Sequence, residues 1–518
     1  MRTLKLKTFK LLNSFFVPRS VMPARKRHLT PLPIHTPTFF MPTLMEKGFL
    51  MKSLFFHGTT QVFCLLQLHG PRLSREHLED ALRILQMRHP FLRCRPRLKE
   101  GTLLFEHDWK IRLPIFESDQ SWEETWNRIQ KSTFPLWEAS VQIWQIWEET
   151  DQRNDLILSL SHAICDGISA HSLLQELLQI LNHPSTSHSL SEADLLKQAC
   201  VHLPRSSSSF TLASLSLRLI FSSIGALLET LWHASPLFSL QIKTHDDFHS
   251  PQDLAQKNRT LTQTLEIEPH TLHDLKKNCA HFHTTLTAAL TSAYASTLSS
   301  LPSQNLKSSQ HGVFQKLRIR PRVKILWPVQ LRPLYSEKAG THELAMHTSF
   351  LTFSIPTHTF SRGATDLWRI AHTLGQKARK RRKRKIPLIF SYFAARATAS
   401  PLSKSRSGHS AFFSLSNIGS IEAPPLTGQW SLKHFLILCQ LASCKHPSLI
   451  LFTQNQKLII TLLASSPSID KTWLDSLQKS FKKKIEGMAT PALFPDASQN
   501  ITSALRQKSG PSESLTLT

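Results

Sequence analysis

The stretch "SHAICDGIS" (161–169) places a histidine, an aspartate and a glycine within a few residues of one another. Histidine titrates near neutral pH and serves as a general base with little adjustment of its pKa. Such a base needs a fixed tautomer and ring orientation, which a nearby carbonyl or carboxylate sets. Asp166 could accept from the ring of His162, or pair with a distant arginine and brace the loop. Gly167 permits a positive φ or the close approach of a substrate. The group therefore fits the deprotonation of a hydroxyl, an amine or a thiol.

Three other interpretations compete with catalysis at this stretch. A histidine at a strand end is most often a satisfied structural residue, and a chain with 27 histidines contains some H-x-x-x-D spacings by chance. His162, Asp166 and His171 also resemble metal ligands. Gly167 speaks against one continuous helix that presents all three, so we predict no metal site. The local residues leave a catalytic and a structural role both open.

The motif follows a predicted β-hairpin. "SVQIWQIWE" (140–148) alternates polar and apolar residues like a half-buried strand, and a polar turn leads into "LILSLS" (156–161). After Gly167, "ISAHSLLQELLQIL" (168–181) has helical periodicity. The motif is thus predicted at a strand-to-helix junction, where folds often expose reactive side chains.

Strands and helices also alternate elsewhere in the chain. Upstream, we predict a strand at 61–70 and a helix at 74–89, with Ser74 as its N-cap and Pro90 after its end. Downstream, we predict strands at 259–267, 324–331, 349–355, 411–416, 432–439, 448–454 and 457–465, and helices at 269–280, 284–300 and 471–488. This pattern predicts an α/β protein with mixed sheets flanked by helices.

Composition divides the chain into five parts. They are a basic N-terminal extension (1–44), an N-terminal α/β domain (45–200), a linker with an apolar helix (201–255), a C-terminal α/β domain (256–490) and a flexible tail (491–518). A disordered basic extension, a segment upstream of a true start at Met41 or Met45, and an organelle presequence all fit the first part. The seven cysteines are scattered without a C-x-x-C pair, which indicates a reducing compartment. We expect a cytoplasmic monomer.

The chain is strongly basic, with 62 Lys+Arg against 36 Asp+Glu and a formal net charge of +26. Such a surplus favours anionic partners such as phosphorylated cofactors, acidic lipids or nucleic acid. The run "KARKRRKRK" (377–385) fits an ordinary solvated loop or helix end, a nuclear signal, or a surface for cofactor phosphates or anionic lipid. Nucleic acid is the weakest candidate, because no recognition motif accompanies the run.

A very apolar helix is predicted at 210–238. It is long enough to span a bilayer, but Arg218 and Glu229 interrupt it and lie on one helical face. Both charges would be expensive inside a membrane. We therefore predict a helix packed on the protein, with peripheral membrane contact as the alternative.

The motif "HAICDG" (162–167) resembles the H-x-x-x-D-G signature of the CoA-dependent acyltransferase superfamily. Its members include chloramphenicol acetyltransferase, alcohol acetyltransferases, wax-ester synthases and peptide-synthetase condensation domains. Further landmarks of that superfamily are matched, in order, by "LEDALRILQMRHPFLRCR" (78–95), "FPLWEASVQIW" (134–144), "PVQLRP" (328–333) and "SLSNIG" (414–419). The chain departs from many relatives at Ser161, where they have a histidine, and it lacks the "DFGWG" of the plant-type acyltransferases.

The resemblance implies two chloramphenicol-acetyltransferase-like α/β domains that meet at a central tunnel. The acyl donor and the acceptor would enter from opposite mouths. His162 would be the general base that deprotonates the acceptor as it attacks the thioester carbonyl. No permanent cofactor and no metal is implied, because a thioester has a good leaving group and the histidine handles the proton.

The resemblance also implies roles for five further residues. Asp166 would face away from the substrate and pair with Arg332, and Gly167 would keep the tunnel open. Ser416 and Asn417 lie on the segment that could donate to the tetrahedral oxyanion, and Asn417 is the better match.

We therefore predict an acyltransferase that moves an acyl group from acyl-CoA or a carrier-bound thioester to a hydroxyl or amine. The apolar helix and the basic surface favour a lipophilic acceptor, such as an alcohol or a glyceride-like molecule. The rival hypothesis is a catalytically silent relative that acts as a membrane- or partner-binding scaffold. Ser161 and a glycine count of only 15 leave room for that alternative.

Overall fold

The computed structural model describes most of the predicted domains. The described residues are 38–55, 61–132, 134, 136–183, 240–242, 259–301, 306–308, 322–334, 344–360, 363–388, 413–421, 428–441, 447–466 and 469–490. The predicted helix at 210–238 and the predicted tail at 491–518 lie outside these residues.

Sixteen strands and eight α-helices are formed by the described residues. The strands are β1 (Thr38–Phe40), β2 (Gln61–His69), β3 (Cys94–Lys99), β4 (Thr102–His107), β5 (Ile115–Ser118), β6 (Val141–Glu148), β7 (Arg153–Ser161), β8 (Leu240–Ile242), β9 (Arg259–Ile267), β10 (Leu306–Ser308), β11 (Arg322–Gln330), β12 (Thr348–Pro356), β13 (Phe413–Ile421), β14 (Ser431–Cys439), β15 (Ser448–Gln454) and β16 (Lys457–Ser466). The helices are α1 (Leu44–Phe55), α2 (Arg75–Arg88), α3 (Trp122–Ile129), α4 (Gly167–Asn182), α5 (Pro269–His281), α6 (Leu286–Ser300), α7 (Ala364–Lys383) and α8 (Lys471–Ala489).

The motif is carried by a five-stranded sheet with the order β14-β2-β7-β6-β5. The predicted hairpin is confirmed, since β6 and β7 pair antiparallel with Val141 opposite Leu160. On its other side β7 pairs antiparallel with β2, so that its last residue, Ser161, lies opposite Gln61. With a strand on each side, β7 holds the start of the motif at the end of a central strand.

The second half of the chain builds a six-stranded mixed sheet with the order β12-β11-β13-β15-β16-β9. β13 runs parallel to both β11 and β15, and the remaining pairs are antiparallel. One face of this sheet packs against the apolar sides of α5, α6, α7 and α8. From the opposite face, Ile450, Phe452, Ile459 and Leu463 join the core of the first half. The strands β15 and β16 are therefore buried on both faces, and residues of the second half take part in the core of the first half.

One strand crosses between the halves. β14, predicted with the second half, pairs antiparallel with β2 of the first, with Leu436 opposite Leu65. Just before it, Trp430 exchanges two hydrogen bonds of 2.9 Å with the side chain of Asn182, the last residue of α4. A side chain at Gly428 would lie 2.2 Å from that amide, so glycine is required for the approach. The domain boundaries themselves stay a prediction.

The start of the described chain packs on the same half. β1, which lies within the predicted basic extension, pairs antiparallel with β4. Thr43 and Glu46 then form a capping box at the start of α1, with the Thr43 amide 2.7 Å from Glu46 Oε2 and the Glu46 amide 3.3 Å from Thr43 Oγ1. The box fixes where α1 begins, which matters because this helix contacts the motif.

The basic run 377–385 lies mainly on a helix end, since α7 extends to Lys383. This agrees with one of its predicted structures and places cations where the helix dipole favours them. No helix in the part of the chain that is described is long and apolar enough to cross a membrane.

Candidate active site

The ring of His162 is held in place on two sides. Its Nδ1 lies 2.9 Å from the carbonyl oxygen of Cys165, three residues further along the motif. The ring of Phe49, from α1, packs against it with 4.4 Å between centroids and 34° between planes. A carbonyl oxygen can only accept, so Nδ1 carries the proton and, in the neutral ring, Nε2 carries the lone pair. This is the tautomer that a general base at Nε2 requires.

Asp166 is the N-cap of α4, and its carboxylate accepts hydrogen bonds from residues other than His162. Its Oδ1 accepts from the amide and the hydroxyl of Ser169, at 2.9 and 3.0 Å. Its Oδ2 accepts from Arg332 Nη1 at 2.9 Å, from the amide of His347 at 3.0 Å and from Thr348 Oγ1 at 3.3 Å. The predicted pair of Asp166 with Arg332 is therefore present, and five donors surround one carboxylate.

The carboxylate of Asp166 is ionised although it is only 2% exposed. Burial by itself raises its pKa, but the charge of Arg332 and the hydrogen bonds from Ser169 outweigh burial, so the pKa of Asp166 is lowered. Arg332 is also buried, at 5% exposure. An ionised carboxylate saturated with donors is not a proton-transfer group. Its geometry fits a brace that fixes the loop between β7 and α4.

Ser169 is the hub that connects this brace to the second half of the chain. Its hydroxyl lies 2.7 Å from Arg332 Nη2 and 2.8 Å from the carbonyl oxygen of Ala345, and it accepts from the Ala345 amide at 3.3 Å. Together with Asp166 it ties the first turn of α4 to residues far away in the sequence. Sequence reasoning missed Ser169, although an aspartate three residues before a serine at a helix start predicts an N-cap contact. His347 and Thr348 carry no comparable signal.

Gly167 lies where the two halves touch. A Cβ at this residue would meet the side chain of Ile418 at 3.2 Å, a tighter contact than side chains normally make. Gly167 is not among the residues with positive φ, so close approach explains the glycine. The partner in that approach is Ile418 of β13, and the role of Gly167 in keeping a tunnel open stays a prediction. The contact brings "HAICDG" and "SLSNIG" together.

Asn417, next to Ile418, shapes the strand on which it lies. The register between β13 and β15 shifts between Asn417 and Gly419, where Gly419 has a φ of +102°. Asn417 Oδ1 accepts from the Gly419 amide at 3.0 Å, and its Nδ2 donates to Thr287 Oγ1 at 2.8 Å. The bulge changes the direction of the strand. Asn417 Nδ2 carries two N–H groups, and these contacts use only one of them. Ser416, half-buried, precedes the bulge opposite Ile450.

The upstream landmark "RHPFLR" (88–93) supports α4 from its other side. His89 Nε2 lies 3.1 Å from Glu176 Oε2, and Arg88 Nη1 lies 3.7 Å from the same oxygen. Glu176 is on α4, so the helix is held by ionic or polar contacts at its first turn, its middle and its end. These contacts hold α4 in place, and α4 fixes the end of the motif loop at Asp166 and Gly167.

The described residues contain no group of three or more His, Cys, Asp or Glu that could hold a metal ion. His171 lies on α4 against Phe435, with 6.4 Å between ring centroids. The three residues considered as metal ligands are thus divided between the loop and the helix.

The five- and six-stranded sheets, the helices that flank them and the loop between β7 and α4 define a two-lobed fold of chloramphenicol-acetyltransferase type, which confirms the predicted fold class. A trichothecene 15-O-acetyltransferase from Fusarium sporotrichioides is similar, with a TM-score of 0.66 and 10% identity over 87% of this chain and 96% of that one. Polyketide synthase associated protein 5 from Mycobacterium tuberculosis has a TM-score of 0.54 and 12% identity over 85% and 98% of the two chains. The condensation domain of the Monacolin K polyketide synthase has a TM-score of 0.60 and 11% identity over 88% and 98%.

The chain belongs to the alcohol acetyltransferase family, whose model matches residues 115–385, about half of its length. This confirms the predicted superfamily and supports an acyltransferase. No curated protein gives a significant match. The matched region includes the motif loop and Arg332, and it ends with the basic run.

Proposed function

We propose that this protein transfers an acyl group from acyl-CoA to the hydroxyl of an alcohol, with His162 as the general base. The observation that carries the proposal is the 2.9 Å contact between His162 Nδ1 and the carbonyl oxygen of Cys165. That contact leaves the lone pair of the neutral ring on Nε2. The family description, alcohol acetyltransferase, supports an alcohol acceptor and an activated acyl donor.

In this mechanism His162 moves one proton twice. Nε2 takes the proton of the acceptor hydroxyl while the hydroxyl oxygen attacks the thioester carbon. The C–O bond forms, and the carbonyl electron pair moves to the oxygen. Collapse of the tetrahedral intermediate breaks the C–S bond, and the CoA thiolate receives the proton from the imidazolium. The products are an ester and free CoA.

The surrounding residues would position these steps. Asp166 and Arg332 hold the loop that carries His162, so they are positioning residues in this mechanism. The second N–H of Asn417 is the proposed donor to the oxyanion, with Ser416 as its neighbour on the same strand. Gly167 lets the segment "HAICDG" approach the segment "SLSNIG" closely.

The proposed acceptor is lipophilic, an alcohol or a glyceride-like molecule, with an amine as the alternative nucleophile. The support comes from the sequence, in the apolar segment 210–238 and the net charge of +26. An acceptor panel that crosses alcohols, amines and monoglycerides with short and long acyl-CoA donors ranks these choices.

The test is a thiol-release assay on the full chain with that panel. We expect His162→Ala to lower the rate by about 100-fold or more, the scale of general-base catalysis. His372→Ala is the matched control, because His372 Nδ1 also contacts a carbonyl oxygen, that of Phe282 at 2.9 Å, but on α7. Equal rates of thiol release by wild type and His162→Ala would refute the role of His162 as the general base. If wild type released no thiol with any pair of donor and acceptor, the result would favour the rival hypothesis of a catalytically silent scaffold.

A further inference from the structure

Most of the basic run 377–385 is presented to solvent. Two of its arginines are used internally: Arg379 donates to the carbonyl oxygen of His283 at 2.5 Å, and Arg381 donates to that of Thr352 and lies 5.2 Å from the centroid of the Phe353 ring. The remaining six cations are exposed, namely Lys377, Lys380, Arg382, Lys383, Arg384 and Lys385. Within the described part of the chain, these six make no ion pair with a carboxylate.

Two contacts, which we call anchors, fix this segment along β12 in the direction of the motif. Arg381 is bound at Thr352, and the carbonyl oxygen of Pro387 accepts from Ser349 Oγ at 2.6 Å. The chain between these anchors therefore follows β12 back towards its first residue. Among the described residues β12 is the outer strand of its sheet, with a neighbouring strand on one side only. The cations thus lie along the edge of the sheet.

The first residue of β12 contacts the brace. Thr348 Oγ1 and the amide of His347 both donate to Asp166 Oδ2. At a rise of about 3.4 Å per residue, Thr348 and Thr352 lie roughly 14 Å apart. The cations between the two anchors are consequently on the order of 10–20 Å from the motif loop. An extended pantetheine arm, with its two amides, spans about 15 Å, by the reach of an extended amide chain.

We propose that the exposed cations of 377–385 bind the phosphates of the acyl-CoA donor, an inference that rests on the proposed function. The chemistry is recognition of a phosphate monoester and a diphosphate by lysine and arginine. The negative end of the α7 dipole opposes an anion there, but it amounts to about half a charge and faces six full positive charges. The motif loop lies within the reach of an extended pantetheine arm from the run, which favours a donor over a lipid headgroup, because a lipid headgroup would require no such distance.

The test is equilibrium binding to the full chain, so that it does not depend on turnover. The triple variant Arg382→Gln, Lys383→Gln and Arg384→Gln removes three cations between the anchors and keeps good helix formers. Calorimetric titration with CoA, 3′-dephospho-CoA and pantetheine measures the contribution of each phosphate. We expect the Kd for CoA to rise about 10-fold or more, while the Kd for pantetheine stays unchanged.

The control variant carries Lys479→Gln, Lys482→Gln and Lys483→Gln, three exposed lysines of α8. It changes the net charge equally and should leave CoA binding unchanged. An unchanged Kd for CoA in the 382–384 variant, or equal losses in both variants, would overturn the proposal. Loss of flotation with phosphatidylserine vesicles at an unchanged Kd for CoA would assign the run to lipid and overturn it too. If CoA binds as expected and no thiol is released, the phosphate site stands and the proposed reaction fails.

Discussion

Arg332 Nη1 lies 2.9 Å from Asp166 Oδ2, although 166 residues separate them in the sequence. The aspartate begins α4 in the first half of the chain, and the arginine follows β11 in the second. Both side chains are buried, so the charge of each depends on the other. One ion pair therefore couples the loop that carries His162 to the association of the two halves.

Removing one partner of this ion pair should lower the stability of the fold far more than removing both. Arg332→Met leaves a buried carboxylate uncompensated, and we expect a loss of about 3–5 kcal/mol in stability. Adding Asp166→Asn should recover a substantial part of that loss. Urea unfolding of the two single variants and the double variant measures the coupling energy. Additive losses would show that the contact contributes no coupling.

The contact between Gly167 and Ile418 predicts a local defect with a specific rescue. In Gly167→Ala the new methyl would lie 3.2 Å from the end of the Ile418 side chain, which must move by a few tenths of an ångström. We expect the movement to disturb the neighbouring Asn417 and to lower the rate of thiol release by several-fold. The double variant Gly167→Ala/Ile418→Ala should recover much of the rate.

Gly487→Ala on α8 is the matched control for that experiment. A Cβ there would meet nothing within 4 Å, so the change should stabilise the helix by about 1 kcal/mol. Its rate of thiol release should equal that of wild type. A rate loss in Gly167→Ala that Ile418→Ala does not relieve would contradict steric displacement as the cause.

His107 predicts a loss of stability in mild acid. Burial, helped by the charge of Arg93, lowers the pKa of His107 to about 4, whereas an unfolded histidine titrates near 6.5. Between these values the unfolded chain binds more protons at this residue, so His107 alone lowers the stability by about 3 kcal/mol as the pH falls through that range. The lowered pKa of Asp166 adds a loss only below its unfolded value near 3.8. Unfolding midpoints at pH 7 and pH 4.5 should therefore differ more in wild type than in His107→Leu. The exposed His281→Leu is the control and should keep the wild-type difference.

Local periodicity predicted most of the secondary structure, and the physical reason is that buried faces repeat with the period of each element. The helix predicted at 168–181 begins at Gly167 and ends at Asn182. The strand predicted at 448–454 has those bounds. Each of these elements has a clear breaker or cap beside it, so its limits are set by nearby residues.

Long-range contacts could not be predicted in this way. Nothing in the local sequence places β14 beside β2, Ile418 against Gly167, or the His347 amide on Asp166. The Asp166–Arg332 pair was predicted only from a family resemblance, because two residues so far apart share no local pattern. Roles for His162 and Asn417 depend on a bound substrate and stay proposals.

Asn417 offers a test that separates catalysis from strand architecture. If its second N–H stabilises the oxyanion, Asn417→Ala should lower kcat by about 100-fold or more, with a small change in KM. The same change also removes the contacts to Gly419 and Thr287, so a purely structural role would lower stability. Thr287→Val is the discriminating control, because it removes only the acceptor of Nδ2 and leaves the Asn417 amide in the chain. We expect Thr287→Val to keep kcat within several-fold of wild type. A kcat loss as large as that of Asn417→Ala would mean that the bulge, rather than the amide, is what the reaction requires.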